Sequence, residues 1–150
     1  QQAMLPKMMN KVKMVVVSDL VDNVQDIHPR DKRSAGQRLS YLALDDTYGK
    51  FVGDYESPVF KDVYRKGDKL FITFDGVKKG LEIRGDKIQG LRIADEDGVW
   101  KEAHAKVKDN MLIVSIENLK GSVFVRYCFD DDSIGNLFSV EGMPVVAFQK

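Results

Sequence analysis

From Leu70 onward, apolar side chains recur at every second residue, in short runs cut by turn residues. Leu70, Ile72 and Phe74 form one run, Leu81 with Ile83 and Leu91 with Ile93 two more. Leu112, Val114 and Ile116 follow, then Val123, Val125 and Tyr127. A period of two places such residues on one face of a strand and leaves the other face polar. Between the runs stand Lys66-Gly67-Asp68, Asp75-Gly76, Arg84-Gly85-Asp86, Asp97-Gly98, Asp109-Asn110 and Lys120-Gly121, which favour tight turns. Short strands at this spacing predict an antiparallel β-sandwich over residues 55–150.

The first third of the chain has a different period. Met14-Val15-Val16-Val17 is a continuous apolar run, as expected of a strand buried on both faces in a parallel sheet. A polar loop, SDLVDNVQDIH, follows. Pro29 then sits where the first turn of a helix tolerates it, and Ala35, Leu39, Leu42 and Ala43 recur at helical spacing until Gly49 offers a stop. This predicts a strand, a loop and an amphipathic helix in residues 1–54, with the boundary near Asp54 to Pro58. One such unit cannot bury its own faces, so the rest of an α/β sheet is expected from sequence outside this chain. The start at Gln1, without Met or an apolar leader, reads as a cut inside a longer polypeptide.

Charge narrows the partners. Lys plus Arg number 23 and Asp plus Glu number 23, with no long run of either sign. Nothing here attracts a polyanion or an anionic membrane, so neither nucleic acid nor membrane is expected as a partner. No apolar run approaches the roughly 20 residues that span a bilayer. Cys128 is the only cysteine, which excludes an intrachain disulfide and a thiolate metal cluster.

The stretch Asp26-Ile27-His28-Pro29 concentrates the chemistry. A histidine on the loop leaving a parallel strand, just before a helix, lies in the crevice where open α/β sheets bind ligands. The positive end of the helix disfavours imidazolium and keeps the ring able to accept a proton. A carboxylate on the other ring nitrogen would fix its tautomer, and Asp26, Asp22 and Asp19 are the candidates. The bland alternative is that an Asp and a His before a helix make ordinary capping contacts.

Beyond these residues, MVVVSDLVDNVQDIHPRDKRSAGQRLSYLALDDTYG resembles the last catalytic block of the sialate O-acetylesterases. There a strand, an Asp-rich loop, an IHPR(D/N)K segment and a terminal helix close an SGNH-type hydrolase domain. KLFITFDGVKKGLEIRGDKIQGLRIADEDGVWKEAHAKV and VRYCFDDDSIGNLFSVEGMPVVAFQK are similar to that family's later stretches, so the likeness runs from Met14 to Gln149. Departures are Phe129 in place of a common tryptophan, and Val146-Ala147 before the final Phe. SGNH hydrolases in general have D-x-x-H, whereas position 25 here is Gln, which leaves Asp26, or else Asp22 or Asp19, to orient His28.

The resemblance implies a serine esterase that removes O-acetyl groups from sialic acid or a related sugar, with His28 as general base and no metal or cofactor. Its nucleophile is expected on an upstream segment, since no serine here stands in a GDS-like or GQSN-like context. The isolated chain is therefore expected to be inactive, and the setting secreted or periplasmic. The rival expectation is a non-catalytic carbohydrate-binding or interaction module. Trp100 and Tyr127 are candidates for sugar stacking, though a lone strand aromatic is more often core. Arg84-Gly85-Asp86 reads as a hairpin turn and Asp130-Asp131-Asp132 as a solvated loop. Asp95-Glu96-Asp97-Gly98 fails as a calcium loop because its twelfth position is Lys106. His104 lacks a partner at metal-ligand spacing and reads as a strand-face residue.

Overall fold

The computed structural model describes residues 2–26, 28–117, 119 and 121–150. The chain is mostly β-sheet with few helices. After a 3-10 turn at Gln2–Met4 and a four-residue helix α1 (Leu5–Met8), residues 12–17 run without regular structure into a second 3-10 turn at Ser18–Leu20. The expected strand at Met14 to Val17 is not found: these residues join no ladder among the described residues. A strand needs a neighbour to take its backbone N–H and C=O groups, and none of the described segments supplies one.

The expected helix is α2 (Lys32–Leu42), which widens into a π-helical turn at Ala43–Thr47. Its start is set by Asp31 rather than Pro29. The Ser34 amide donates to Asp31 Oδ1 at 2.9 Å and the Ser34 hydroxyl to Oδ2 at 2.7 Å. Such a cap satisfies one of the orphan amides of a first turn. The two bonds hold the Asp31 carboxyl below its ordinary pKa, the Ser34 amide contributing most. At the other end Gly49 takes φ +61°, which lets the Lys50 amide turn back onto the Leu44 carbonyl at 2.9 Å.

Ten strands follow: β1 (Val59–Lys66), β2 (Lys69–Asp75), β3 (Leu81–Ile83), β4 (Leu91–Ala94), β5 (Lys101–Glu102), β6 (Ala105–Lys108), β7 (Met111–Ser115), β8 (Phe124–Tyr127), β9 (Leu137–Ser139) and β10 (Phe148–Gln149). They form two four-stranded antiparallel sheets, ordered β1-β2-β7-β6 and β10-β8-β4-β5, and a two-stranded ribbon of β3 and β9. The alternating residues point where their period demands. Ile72 faces Leu112 across β2 and β7, Leu91 faces Tyr127 across β4 and β8, and all four are buried. Phe148 joins the two larger sheets: its ring lies 5.0 Å from Phe60, 5.8 Å from Phe74 and 5.9 Å from Tyr127. Each such aliphatic or aromatic side chain contributes roughly 1.5–3 kcal/mol on full burial.

Tyr127 is core, at 2% exposure, which removes it as a sugar-stacking residue. Its hydroxyl accepts the Leu137 amide at 2.9 Å deep in the fold. Nearby, Asn136 is buried and makes a clamp. Its Nδ2 donates to the carbonyls of Arg84 (2.7 Å) and Lys87 (2.8 Å), while its Oδ1 accepts the Gln89 amide at 2.8 Å. The Arg84 amide also donates to the Asn136 carbonyl at 2.9 Å. Arg84-Gly85-Asp86 is consequently not a hairpin turn. It opens a loop from β3 to β4, strands of different sheets, and Asn136 supplies the bonds that a hairpin ladder would have made.

Candidate functional site

Residues Met14 to Ser18, Val21, Val24, Asp26 and Pro29 form one wall of a cleft of about 800 Å³. The opposite wall is the loop after β8, Cys128 to Ile134, with Val146 and Ala147 beyond it. The apolar run and the Asp-rich loop thus lie against the β-rich part of the chain. Asp26 and Pro29 line this cleft, and His28, between them, is exposed.

The three candidate acids have different partners. Asp19, in the turn at Ser18–Leu20, receives Arg38 of α2 in a fork: Nη1 to Oδ1 at 2.7 Å and Nη2 to Oδ2 at 2.6 Å. Arg38 Nη1 also donates to the Val16 carbonyl, so one guanidinium ties the apolar run, the acidic turn and the helix together. Asp22 meets Arg30 at 3.4 Å in an open pair, of the kind that contributes little. Asp26 Oδ1 accepts the backbone amide of His28 at 2.9 Å. Its carboxylate therefore sits beside the histidine, on the main chain, and among the described residues no hydrogen bond reaches the His28 ring.

Arg38 carried a signal in the sequence. It shares the helical stripe of Ala35, Leu39 and Leu42, and a cation on an apolar stripe calls for a nearby counter-charge. Asp130 carried less. Read as part of a solvated loop, it instead bridges two arginines: Arg126 at 2.9 Å and Arg92 at 3.4 Å. Arg92 and Arg126 are direct cross-strand partners on β4 and β8, so one carboxylate relieves their repulsion. Arg126 also stacks on Trp100, 4.3 Å from the ring centre.

Cys128 stands at the cleft's inner edge in a left-handed conformation, φ +46°. Burial pushes its thiol up to about 11, against the lowering effect of the Tyr127 hydroxyl and with the aid of the Asp130 charge. A thiol so protonated is a packing group, not a nucleophile. Ser18 and Ser133 line the cleft without any described bond to His28, and Ser133 donates to Asp130 at 3.4 Å.

With this geometry in place, comparison with solved structures gives a clear likeness. The chain resembles part of a carbohydrate acetylesterase. That enzyme, from Xanthomonas citri, superposes with a TM-score of 0.78 at 33% sequence identity over 88% of this chain. The match spans 31% of the esterase. A second likeness is to the hybrid PKS-NRPS synthetase iliA of Neonectria sp. (strain DH2), 33% identical over 98 residues, or 62% of this chain and 2% of the synthetase. No family model matches the chain. Among the described residues, no helix is long and apolar enough to cross a membrane.

Proposed function

We propose that this chain is the C-terminal part of a carbohydrate O-acetylesterase of SGNH type, acting on O-acetylated sialic acid or a related acetylated sugar. In this reading residues 1–54 end the hydrolase domain, residues 55–150 form an accessory β-sandwich, and the enzyme works outside the cytoplasm. The observation that carries the reading is the likeness to the Xanthomonas citri carbohydrate acetylesterase, at an identity that speaks for more than shared topology.

The chemistry is acyl transfer. A serine on the segment outside this chain attacks the acetyl carbonyl, and its proton passes to His28. The imidazolium then protonates the departing sugar oxygen, and water, deprotonated by His28, releases acetate from the serine. Asp26 orients the ring. In support, Asp19 is held in a fork by Arg38, whereas the Asp26 carboxylate lies beside His28, bonded to its backbone amide.

The test is p-nitrophenyl acetate hydrolysis by this chain joined to the remaining esterase segment, by its His28→Ala variant, and by the 150-residue chain alone. The reading expects a loss of at least ~1000-fold in the variant, the order for removing a triad base, and silence from the isolated chain. Unchanged hydrolysis in the variant removes His28 from catalysis.

A further inference from the structure

We infer that the β-rich part of the chain carries its own binding pocket for a single neutral pyranose ring, sharing only Ser133 with the cleft at Asp26. The pocket, about 270 Å³, lies where the loop before β4 meets the end of β5. Its polar lining is Lys87, Gln89, Arg92, Glu102, His104 and Ser133. Arg92 and Glu102 are direct cross-strand partners, so guanidinium and carboxylate leave the sheet on the same face.

Three features point to a sugar. The first is the set of polar groups: a carboxylate, a guanidinium, an amide, an imidazole and a hydroxyl belong to residues that line one small space. Planar groups of this kind satisfy vicinal hydroxyls, the carboxylate accepting from one and the cation donating to the next. The second is rigidity. The loop bearing Lys87 and Gln89 is fixed before any ligand arrives, by the three bonds of the Asn136 side chain, so little ordering cost falls on binding. The third is charge. Glu102 faces Lys87 and Arg92 in the lining, and Asp130, shared between Arg92 and Arg126, offsets part of the rest, so a single excess positive charge remains, too little to favour an anion over a neutral ring. The volume is just under the roughly 300–1,000 Å³ of pockets for drug-sized ligands, room for one ring.

The inference rests on the carbohydrate reading above but is tested apart from it, because binding is read on the 150-residue chain without any hydrolysis. The experiment is a titration of ¹⁵N-labelled chain with methyl β-D-xylopyranoside, methyl β-D-galactopyranoside and N-acetylneuraminic acid, followed by amide shifts. The expected result is saturable shifts at Gln89, Gly90, Ala103 and His104 with a neutral pyranoside, at a dissociation constant on the order of 1 mM. Binding weakens at least ~10-fold in Glu102→Gln, as loss of a charge-assisted hydrogen bond requires, and also in Gln89→Ala, with the rest of each spectrum unchanged. No shifts at tens of millimolar, or shifts that survive both substitutions, overturn the pocket, and so does a response to N-acetylneuraminic acid alone. The role of His28 stands or falls separately, on p-nitrophenyl acetate hydrolysis.

Discussion

The Arg38 guanidinium grips the Asp19 carboxylate with two nitrogens, and each side chain is only 11% exposed. Such a pair is unlike the open Asp22–Arg30 contact. Shielding strengthens the attraction and makes either charge costly to leave alone. Asp19→Ala is expected to lower stability by about 2–3 kcal/mol, and Arg38→Ala by a similar amount. The double variant should lose less than the sum of the two, because no orphaned charge remains. Urea unfolding of the three proteins checks this, and strictly additive losses would mean that the fork contributes nothing.

If Asp26 orients His28, its amide replacement should abolish most turnover while sparing the fold. Under the proposed function, Asp26→Asn in this chain joined to the segment that would carry the serine is expected to lower kcat by ~100-fold or more, since an amide cannot fix the required tautomer. Asp22→Asn should stay within a few-fold of the parent. A reversal of that order in p-nitrophenyl acetate turnover would transfer the role to Asp22.

The Tyr127–Leu137 bond predicts a loss without any cavity. Tyr127→Phe keeps the ring against Phe148 but leaves the buried Leu137 amide without its acceptor, a cost of about 1–3 kcal/mol. Gly135→Ala should be worse, because its methyl carbon would fall 2.2 Å from the Tyr127 hydroxyl and 2.5 Å from Cys128 Sγ. Denaturant midpoints with unchanged slopes would report both effects. A neutral Gly135→Ala would show that this corner yields more easily than its contacts imply.

Cys128 offers a pH test with a single reporter. Its thiol, pushed up by burial to about 11 from an ordinary 9.0, is neutral over a range where the unfolded chain's thiol ionises. The stability that this contributes is fully present below pH 9 and is lost as pH rises from there through about 11. At pH 8, iodoacetamide should alkylate the folded chain about 100-fold more slowly than the urea-unfolded chain. Equal rates would place the thiolate in reach of solvent.

How much of the fold and the site is legible in the sequence depends on the range of the interaction. The period-two runs name the inward faces of β2, β3, β4, β7 and β8, because alternation is a property of consecutive residues. Strands β1, β5, β6, β9 and β10 carry weaker or shorter patterns and emerge only through their ladders. In the site, Asp26 and His28 are legible as neighbours in one loop. The Asp19–Arg38 fork is not, since a helix must fold back on the turn before the two charges meet.

What the sequence determined by itself is therefore local: which side chains face inward, where the helical run stops at Gly49, and that Asp26 adjoins His28. Tertiary structure alone decided the pairing of β2 with β7, β4 with β8 and β3 with β9. It also decided the conversion of Arg84-Gly85-Asp86 from an expected hairpin into a loop clamped by Asn136, and the joining of Arg92 with Arg126 through Asp130. The physical reason is that backbone ladders are blind to residue type, and charge pairs distant in sequence form only after the chain has brought their elements together.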